Sequence, residues 1–591
     1  MVRGQRLVNV GGSKFAEYYD APNETQMKSL LECSKAVPQP GGRLFRIADA
    51  KLQTFRVTGQ GELVVEAPDC LYDSSDRSIS SAGLLHLRTA DVRFNLDGEG
   101  FLWQQTNSML FVSNRVHTII HADLAGGQPT SAKTNAVPAE TSPIDVFSDQ
   151  FEYAVKSGQG IYRGNVRVSG TNMALTAGLL TVDVPMAERR LQSLVATENV
   201  VVDYLVDRTK TQAKGQRVTY DADSDQFQIS GQPSWRADLR EGHGDHLLLD
   251  RKNGIFRSTG NAWLKMPSQG AGQSSFLPHP NVGTVPAAKS TNQFVEISSD
   301  DYVIRTNSAV FHENVKVNEW RDEKLQGKMS CGEMTAAFTG TNELQQLVAE
   351  RNVIIESETN RFSSGRAVYT GTNGILELTE QPAWQAGVRQ GHGEVIVVNV
   401  PRNEMHVISN ATMRLPAEEM RQSTAFGPAA PRKAAGGAAT NQWALISAEE
   451  YAIGREEGRF QRHVRIDHPQ MQWGSDTLTA RMPPSGGKIP HLVAEGSVAF
   501  DLIDDHGQKV HGTGEQAVYN YQLTATTTNE TMELTGSPAV LTASTNIIGR
   551  NNVVLLDLTT HRLTAHGLYN ILGTSLPATN ALVLPKQAMK R

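Results

Sequence analysis

Residues 194–204 read LVATENVVVDY, residues 347–357 read LVAERNVIIES, and residues 492–502 read LVAEGSVAFDL. In each copy apolar residues stand two apart: Val200 and Val202, Val353 and Ile355, Val498 and Phe500. A period of two places them on one side of a β-strand, with polar residues on the other. The phrase belongs to a longer period. Tyr162, Val166 and Val168 line up with Phe311, Val315 and Val317, and then with Phe460, Val464 and Ile466, at steps of 149 residues. Gly231, Pro233 and Trp235 return as Glu380, Pro382 and Trp384 at the same step, and Pro538 keeps the proline of a third copy. Matches at one fixed offset mark a tandem repeat.

Phe227 and Ile229, Leu376 and Leu378, and Met532 and Leu534 alternate in the same way. Turn-forming groups such as DADSD, RKNG and GTNG separate these runs. The fold class predicted is all-β, of antiparallel or solenoid type, with one short N-terminal helix. That helix is expected in NETQMKSLLECSKAV, with Asn23 as N-cap and Met27, Leu30 and Leu31 on one face.

The 591 residues are 39% hydrophobic and 6% aromatic, and carry 56 Lys+Arg against 62 Asp+Glu. A net charge of −6 spread over this length leaves no basic field, which argues against nucleic acid as a partner. Cys33, Cys70 and Cys331 form no CxxC pair and no zinc spacing; a Cys33–Cys70 disulfide and three separate thiols both remain open. There is no apolar run of about 18 residues for a spanning helix. The N-terminal stretch has no apolar core of a signal peptide, and Glu32 before Cys33 argues against an acylation site.

Segments 125–142, 267–292 and 416–441 are rich in Ala, Gly, Pro, Ser and Thr and read as linkers or long loops. They divide the chain into 1–124, 143–266, 293–415 and 442–573, the last copy divergent and longer. Gly242, His243 and Gly244 recur as Gly391, His392 and Gly393. One carboxylate beside each histidine, Asp245 or Glu394, is too few ligands for a metal, so a glycine turn is the expected role. No GxSxG, HExxH or P-loop pattern occurs. The expectation is therefore a non-enzyme without metal or cofactor. Stacked amphipathic copies join their dry faces into one trough; about eight rungs per copy at roughly 4.8 Å gives a length on the order of 100 Å.

The order YRGNVRV, LVATENVVVDY, AKGQRVTYDADSDQFQISGQPSW and GHGDHLLLDRKNGIF resembles the OstA/LptA-type lipopolysaccharide-transport domain, in three copies. The segment with LQTFRVTGQGELVVEAPDCLYD and GEGFLWQQTNSMLFVSN resembles the LptC-type periplasmic domain. The resemblance implies tandem open β-jellyrolls stacked into an elongated, slit-like structure in the periplasm, peripheral to membranes. The acyl chains of lipid A would ride in the slit. It also implies an inner-membrane exporter and an outer-membrane translocon as partners, docked by edge-strand addition. The candidate lipid-lining positions are Val166, Val168, Val200, Val202, Phe227, Ile229, Trp235, Val315, Val317, Val353, Ile355, Leu376, Leu378, Trp384, Val464, Ile466, Val498 and Phe500. For Trp235, Trp384, Phe256 and Trp263, core packing competes with ligand contact. Two other classes compete as well. A structural or surface-adhesion β-solenoid would have no gap in its dry face, and a polysaccharide-active β-helix enzyme would need one acidic cluster in one copy.

Overall fold

Long antiparallel strands that bend near their middle build the chain, and the bend follows from two residues of special backbone. The computed structural model describes residues 5–9, 12–121, 143–184, 191–206, 209–267, 293–339, 344–357, 360–420, 443–483, 487–503, 509–523, 528–543, 546–560 and 562–567. Two units are distinguished: Met1–Met266 with Ser299–Thr306, and Pro267–Ser298 with Asn307–Arg591.

In the first unit, strand Gln159–Ser169 pairs Arg163 with Leu179 and then Val166 with Ala177, so Gly164 and Asn165 together oppose Gly178. Both have positive φ, 76° and 46°. Glu198 and Asn199, at 71° and 53°, oppose Gln216 in the same manner. In the second unit the same step occurs at Glu313–Asn314, Arg351–Asn352, Ser409–Asn410, Arg462–His463 and Gly496–Ser497. Such two-against-one steps bend a strand. Among L residues Asn pays least for left-handed backbone, because its short side chain hydrogen-bonds locally. The Asn before Val in the repeated phrase is thus a backbone requirement.

Side-chain size is matched across each bend. A Cβ on Gly332 would lie 2.8 Å from the Cβ of Arg351, and one on Gly365 would lie 2.6 Å from that of Glu380. Where the bend itself carries glycine, an acidic residue fills the space. A Cβ on Gly260 would lie 2.9 Å from the Cβ of Asp245, and one on Gly496 would lie 2.8 Å from that of Asp476. The Asn side chains close the arrangement: Asn165 donates to Asp149 at 2.8 Å and Asn410 to Glu394 at 2.7 Å. Replacing Asn352 with valine is expected to cost about 1–2 kcal/mol, and replacing it with glycine much less, as checked by chemical denaturation.

Each bent strand gives one half to each of two layers. Strand Leu344–Ser357 pairs residues 346–350 with Arg366–Thr370, and residues 353–357 with Asn360–Ser364. Because neighbours are antiparallel, the half before one bend pairs with the half after the next, and each layer is built from such alternating halves. Among the described residues no backbone ladder joins the layers away from the bend. In the first unit one apolar core runs from Phe15 through Ile47, Leu96 and Tyr162 to Leu247. Strand Met109–Ile120 pairs with Ile144–Ser148 and with Gln150–Ala154, so the N-terminal segment and the first repeat share one continuous sheet. In the second unit Glu404–Pro416 pairs with Trp443–Ile453 across the third linker.

The N-terminal helix expected at Asn23 is not there. Residues 20–26 turn, with Gln26 N donating to Asn23 O at 2.9 Å, and Met27–Cys33 is a strand burying Ser29, Leu31 and Cys33. Neighbours on both sides, Ser13–Tyr18 and Leu44–Phe55, take up its backbone groups, and that pairing overrides local helix preference. A four-residue helix occurs instead at Ala417–Met420. The expected linker 125–142 lies outside the described residues, as do 268–292 and 421–441 of the other two. Cys33, Cys70 and Cys331 are free and buried, and burial pushes the Cys70 and Cys331 thiols up to about 12.

Candidate functional site

The inward residues of the two layers form two apolar rows in each unit. In the first unit one layer's row runs Tyr162, Leu180, Ala196, Val218, Ile229, Leu247 from strand to strand. The other layer's row runs Val168, Leu175, Val202, Ala213, Trp235, Gly242, Leu264. In the second unit the first row runs Phe311, Met334, Ala349, Ala367, Leu378, Ile396, Val407, Tyr451, Phe460, Leu478, Ala494, Ala517, Leu534. The second runs Val317, Met329, Ile355, Phe362, Trp384, Gly391, Met413, Ile446, Ile466, Trp473, Phe500. Neither row contains a charged residue.

Of the sequence-derived positions, Val166, Val168, Val200, Ile229, Val315, Val317, Val353, Ile355, Leu376, Leu378, Trp384, Val464, Ile466, Val498 and Phe500 are buried. Val202, Phe227 and Trp235 are half-buried. The rows bring Val168, Val202 and Trp235 together in the first unit, and Val317, Ile355, Trp384, Ile466 and Phe500 in the second. Trp263 is not on this face. It pairs with His243 across the sheet, and the two rings stack at 5.1 Å on the outside. His392 meets the Thr412 hydroxyl at 2.8 Å. Among the described residues no three His, Cys, Asp or Glu gather in a metal-holding group.

The first glycine of each GHG triplet has a packing role. A Cβ on Gly242 would lie 2.6 Å from Trp235 Nε1, and one on Gly391 would lie 2.6 Å from Trp384 Nε1. Each indole lies over a bare backbone. Its N–H crosses to the other layer: Trp235 donates to the Tyr302 hydroxyl at 3.0 Å, and Trp384 to the Tyr451 hydroxyl at 2.7 Å. Tyr451 in turn donates to the Thr412 carbonyl at 3.1 Å, two residues from the bend at Asn410. Burial pushes the Tyr302 hydroxyl up to about 12 despite the Trp235 hydrogen bond, and burial raises Tyr451 as well, so both stay neutral. Sequence reading missed these tyrosines. The signal was present, since Tyr302 and Tyr451 are also 149 residues apart.

The layers touch in this structure. A recess lined by Met420, Met471, Trp473, Ile489, Leu492 and Tyr519 has a volume of about 10 Å³, at the lower limit for one water. Among the described residues, no hydrogen-bonded strand pairing would have to break to part the layers at the side away from the bends, only apolar contacts and single hydrogen bonds such as that from Trp384 to Tyr451.

Residues 145–255 match the family described as LptA/(LptD N-terminal domain) LPS transport protein. No curated protein matches the chain significantly. Among solved structures, the chain is similar to LptH from Pseudomonas aeruginosa, described as the LptA homologous periplasmic component of the conserved lipopolysaccharide transport device. The identity is 20%, over 20% of this chain and 82% of that chain, with a TM-score of 0.19.

Proposed function

We propose that the chain is a non-catalytic periplasmic carrier that holds the acyl chains of lipopolysaccharide between its two layers and passes the lipid from the inner toward the outer membrane. The observation that supports this most is the pair of uncharged rows, which among the described residues share no strand ladder, in a chain whose residues 145–255 match a lipopolysaccharide-transport family. An acyl chain of about 12 carbons in water costs roughly 10 kcal/mol, at about 0.8 kcal/mol per methylene. Entering the interior replaces contacts between apolar side chains with contacts to the acyl chain, so parting the layers removes most of that penalty without chemistry.

On this reading 1–124 is an LptC-like module and 143–266, 293–415 and 442–573 are three carrier modules. The N-terminal module faces the inner-membrane exporter and the C-terminal end faces the outer-membrane translocon, each met by strand addition. The continuous pairing of Met109–Ile120 with Ile144–Ser148 supports this, because it makes within one chain the joint that separate subunits make by docking.

The test places a photo-crosslinking residue at Val168, Val317 or Ile466 in cells, and at the exposed neighbours Arg167, Lys316 or Arg465 as controls. Lipopolysaccharide adducts are expected at the inward positions and not at the controls. A chain that gives none at any inward position is a structural solenoid and not a carrier.

A further inference from the structure

In the second unit two short segments meet over the side where the layers have no shared ladder. Ala417–Met420 follows the after-bend half of strand Glu404–Pro416. Gly487–Pro490 precedes the before-bend half of strand His491–Ile503. They belong to different layers, and they are joined by a hydrogen bond from Ile489 N to the Glu419 carbonyl at 2.9 Å. Polar groups pin each end. Arg389 Nε donates to the Glu419 carboxylate at 2.9 Å, with both side chains largely buried. His468 Nε2 donates to the Ala417 carbonyl at 3.1 Å, while its Nδ1 accepts from Gln470 N. Lys488 pairs with Glu530 at 3.0 Å, and the Pro490 carbonyl accepts from Tyr521 N at 2.8 Å.

Beneath this strap, Met420 and Ile489 line the recess together with Trp473, which continues the row from Val317 and Ile466. Trp473 is 3% exposed, yet its indole N–H is buried with no acceptor. An unsatisfied donor in apolar surroundings is costly and calls for an explanation. A ligand that is apolar along its length and carries one acceptor oxygen supplies what is missing.

We infer that the recess under the strap is a gated site for a single acyl chain, in which Met420 and Ile489 stand in for the chain while the site is closed and Trp473 donates to a carbonyl or hydroxyl oxygen of the bound lipid. This rests on the carrier reading above. Opening moves the strap aside, the chain takes the place of the two side chains, and Trp473 gains its acceptor. The pinned strap makes this module the controlled step along the rows of the second unit.

The experiment uses the full chain with purified lipopolysaccharide and a photo-crosslinking residue at Leu492 in the recess, with one at Val168 as reference. In the otherwise unchanged chain, adducts are expected at Val168 and few at Leu492. Met420→Ala with Ile489→Ala is expected to raise the Leu492 adduct about fivefold or more while leaving Val168 unchanged. Arg389→Gln with Glu419→Gln, which unpins the strap without emptying the recess, is expected to act in the same direction. Adding Trp473→Phe to the released chain lowers lipid retention by about two- to tenfold, the worth of one hydrogen bond. Equal Leu492 adducts with and without release overturn the gate. Adducts at Val168 and none at Leu492 in either released chain overturn the site. Absence of adducts at both positions overturns the carrier reading itself.

Discussion

Trp384→Ala is expected to destabilise the second unit by about 3–5 kcal/mol, measured by chemical denaturation. Three losses add up. The indole is buried in the row between Phe362 and Gly391, and Gly391 has no side chain to move into the space. The Tyr451 hydroxyl loses the N–H that it accepts at 2.7 Å, and with it the hydrogen bond that ties Trp384 in one layer to Tyr451 in the other. Trp384→Phe separates the terms: it keeps most of the packing and removes only the donor, so about 1–2 kcal/mol is expected. Because stacked strands depend mainly on nearest neighbours, faster hydrogen exchange should concentrate in Ala383–Ala386 and Trp443–Ile453. A cost under about 1 kcal/mol for the alanine variant would show that the layers hold together without this bridge.

The repeat and the strand pattern were legible because they rest on period two and on a fixed offset, which need no tertiary knowledge. Inward positions such as Val317, Ile355 and Ile466 follow from alternation alone, and the rows place them as alternation predicts. What the bends do was less legible. ENV, RNV, GNV and RHV look like ordinary strand residues, and only backbone φ shows that the pair before each valine is left-handed. The helix expected near Asn23 failed for the converse reason. Leu30 and Leu31 suit a helix face equally well, and only the strands on either side of Met27–Cys33 decide the outcome.

The cross-layer hydrogen bonds stood halfway between these cases. Trp235 and Trp384 were found as repeated residues, but core and ligand contact could not be separated until their tyrosine partners were placed. The strap had no sequence signal. Ile489 only repeats the apolar residue that stands three before each LVA phrase, Leu191 and Leu344 in the earlier copies, and nothing in those copies marks a strap. Divergence in the third copy coincides with the place where the structure sets polar pins beside the uncharged rows.

Glu530→Ala is the second large effect, with an expected cost of about 3–5 kcal/mol. The Glu530 side chain is about 1% exposed and accepts from Lys488 at 3.0 Å and from the Tyr519 hydroxyl at 2.9 Å. Burial, and then the neighbouring Glu530, push the Tyr519 hydroxyl well above its ordinary value, so it remains a donor. Removing the carboxylate strands a largely buried ammonium that otherwise lies 4.0 Å from the Tyr521 ring centre. That unpaired charge, not the pair's own worth, dominates the cost. Glu530→Leu combined with Lys488→Met removes both charges and is expected to recover most of the loss, because a buried pair and an apolar pair of similar size are often close in stability. Urea titrations of the single and double variants check this. A double variant as unstable as Glu530→Ala would mean that Tyr519, and not Lys488, depends on the carboxylate. Since Lys488 precedes Ile489 in the strap, the single variant should also loosen the contact between Ile489 and Glu419, and hydrogen exchange at Ile489 N should rise more than at Val407 in the same unit.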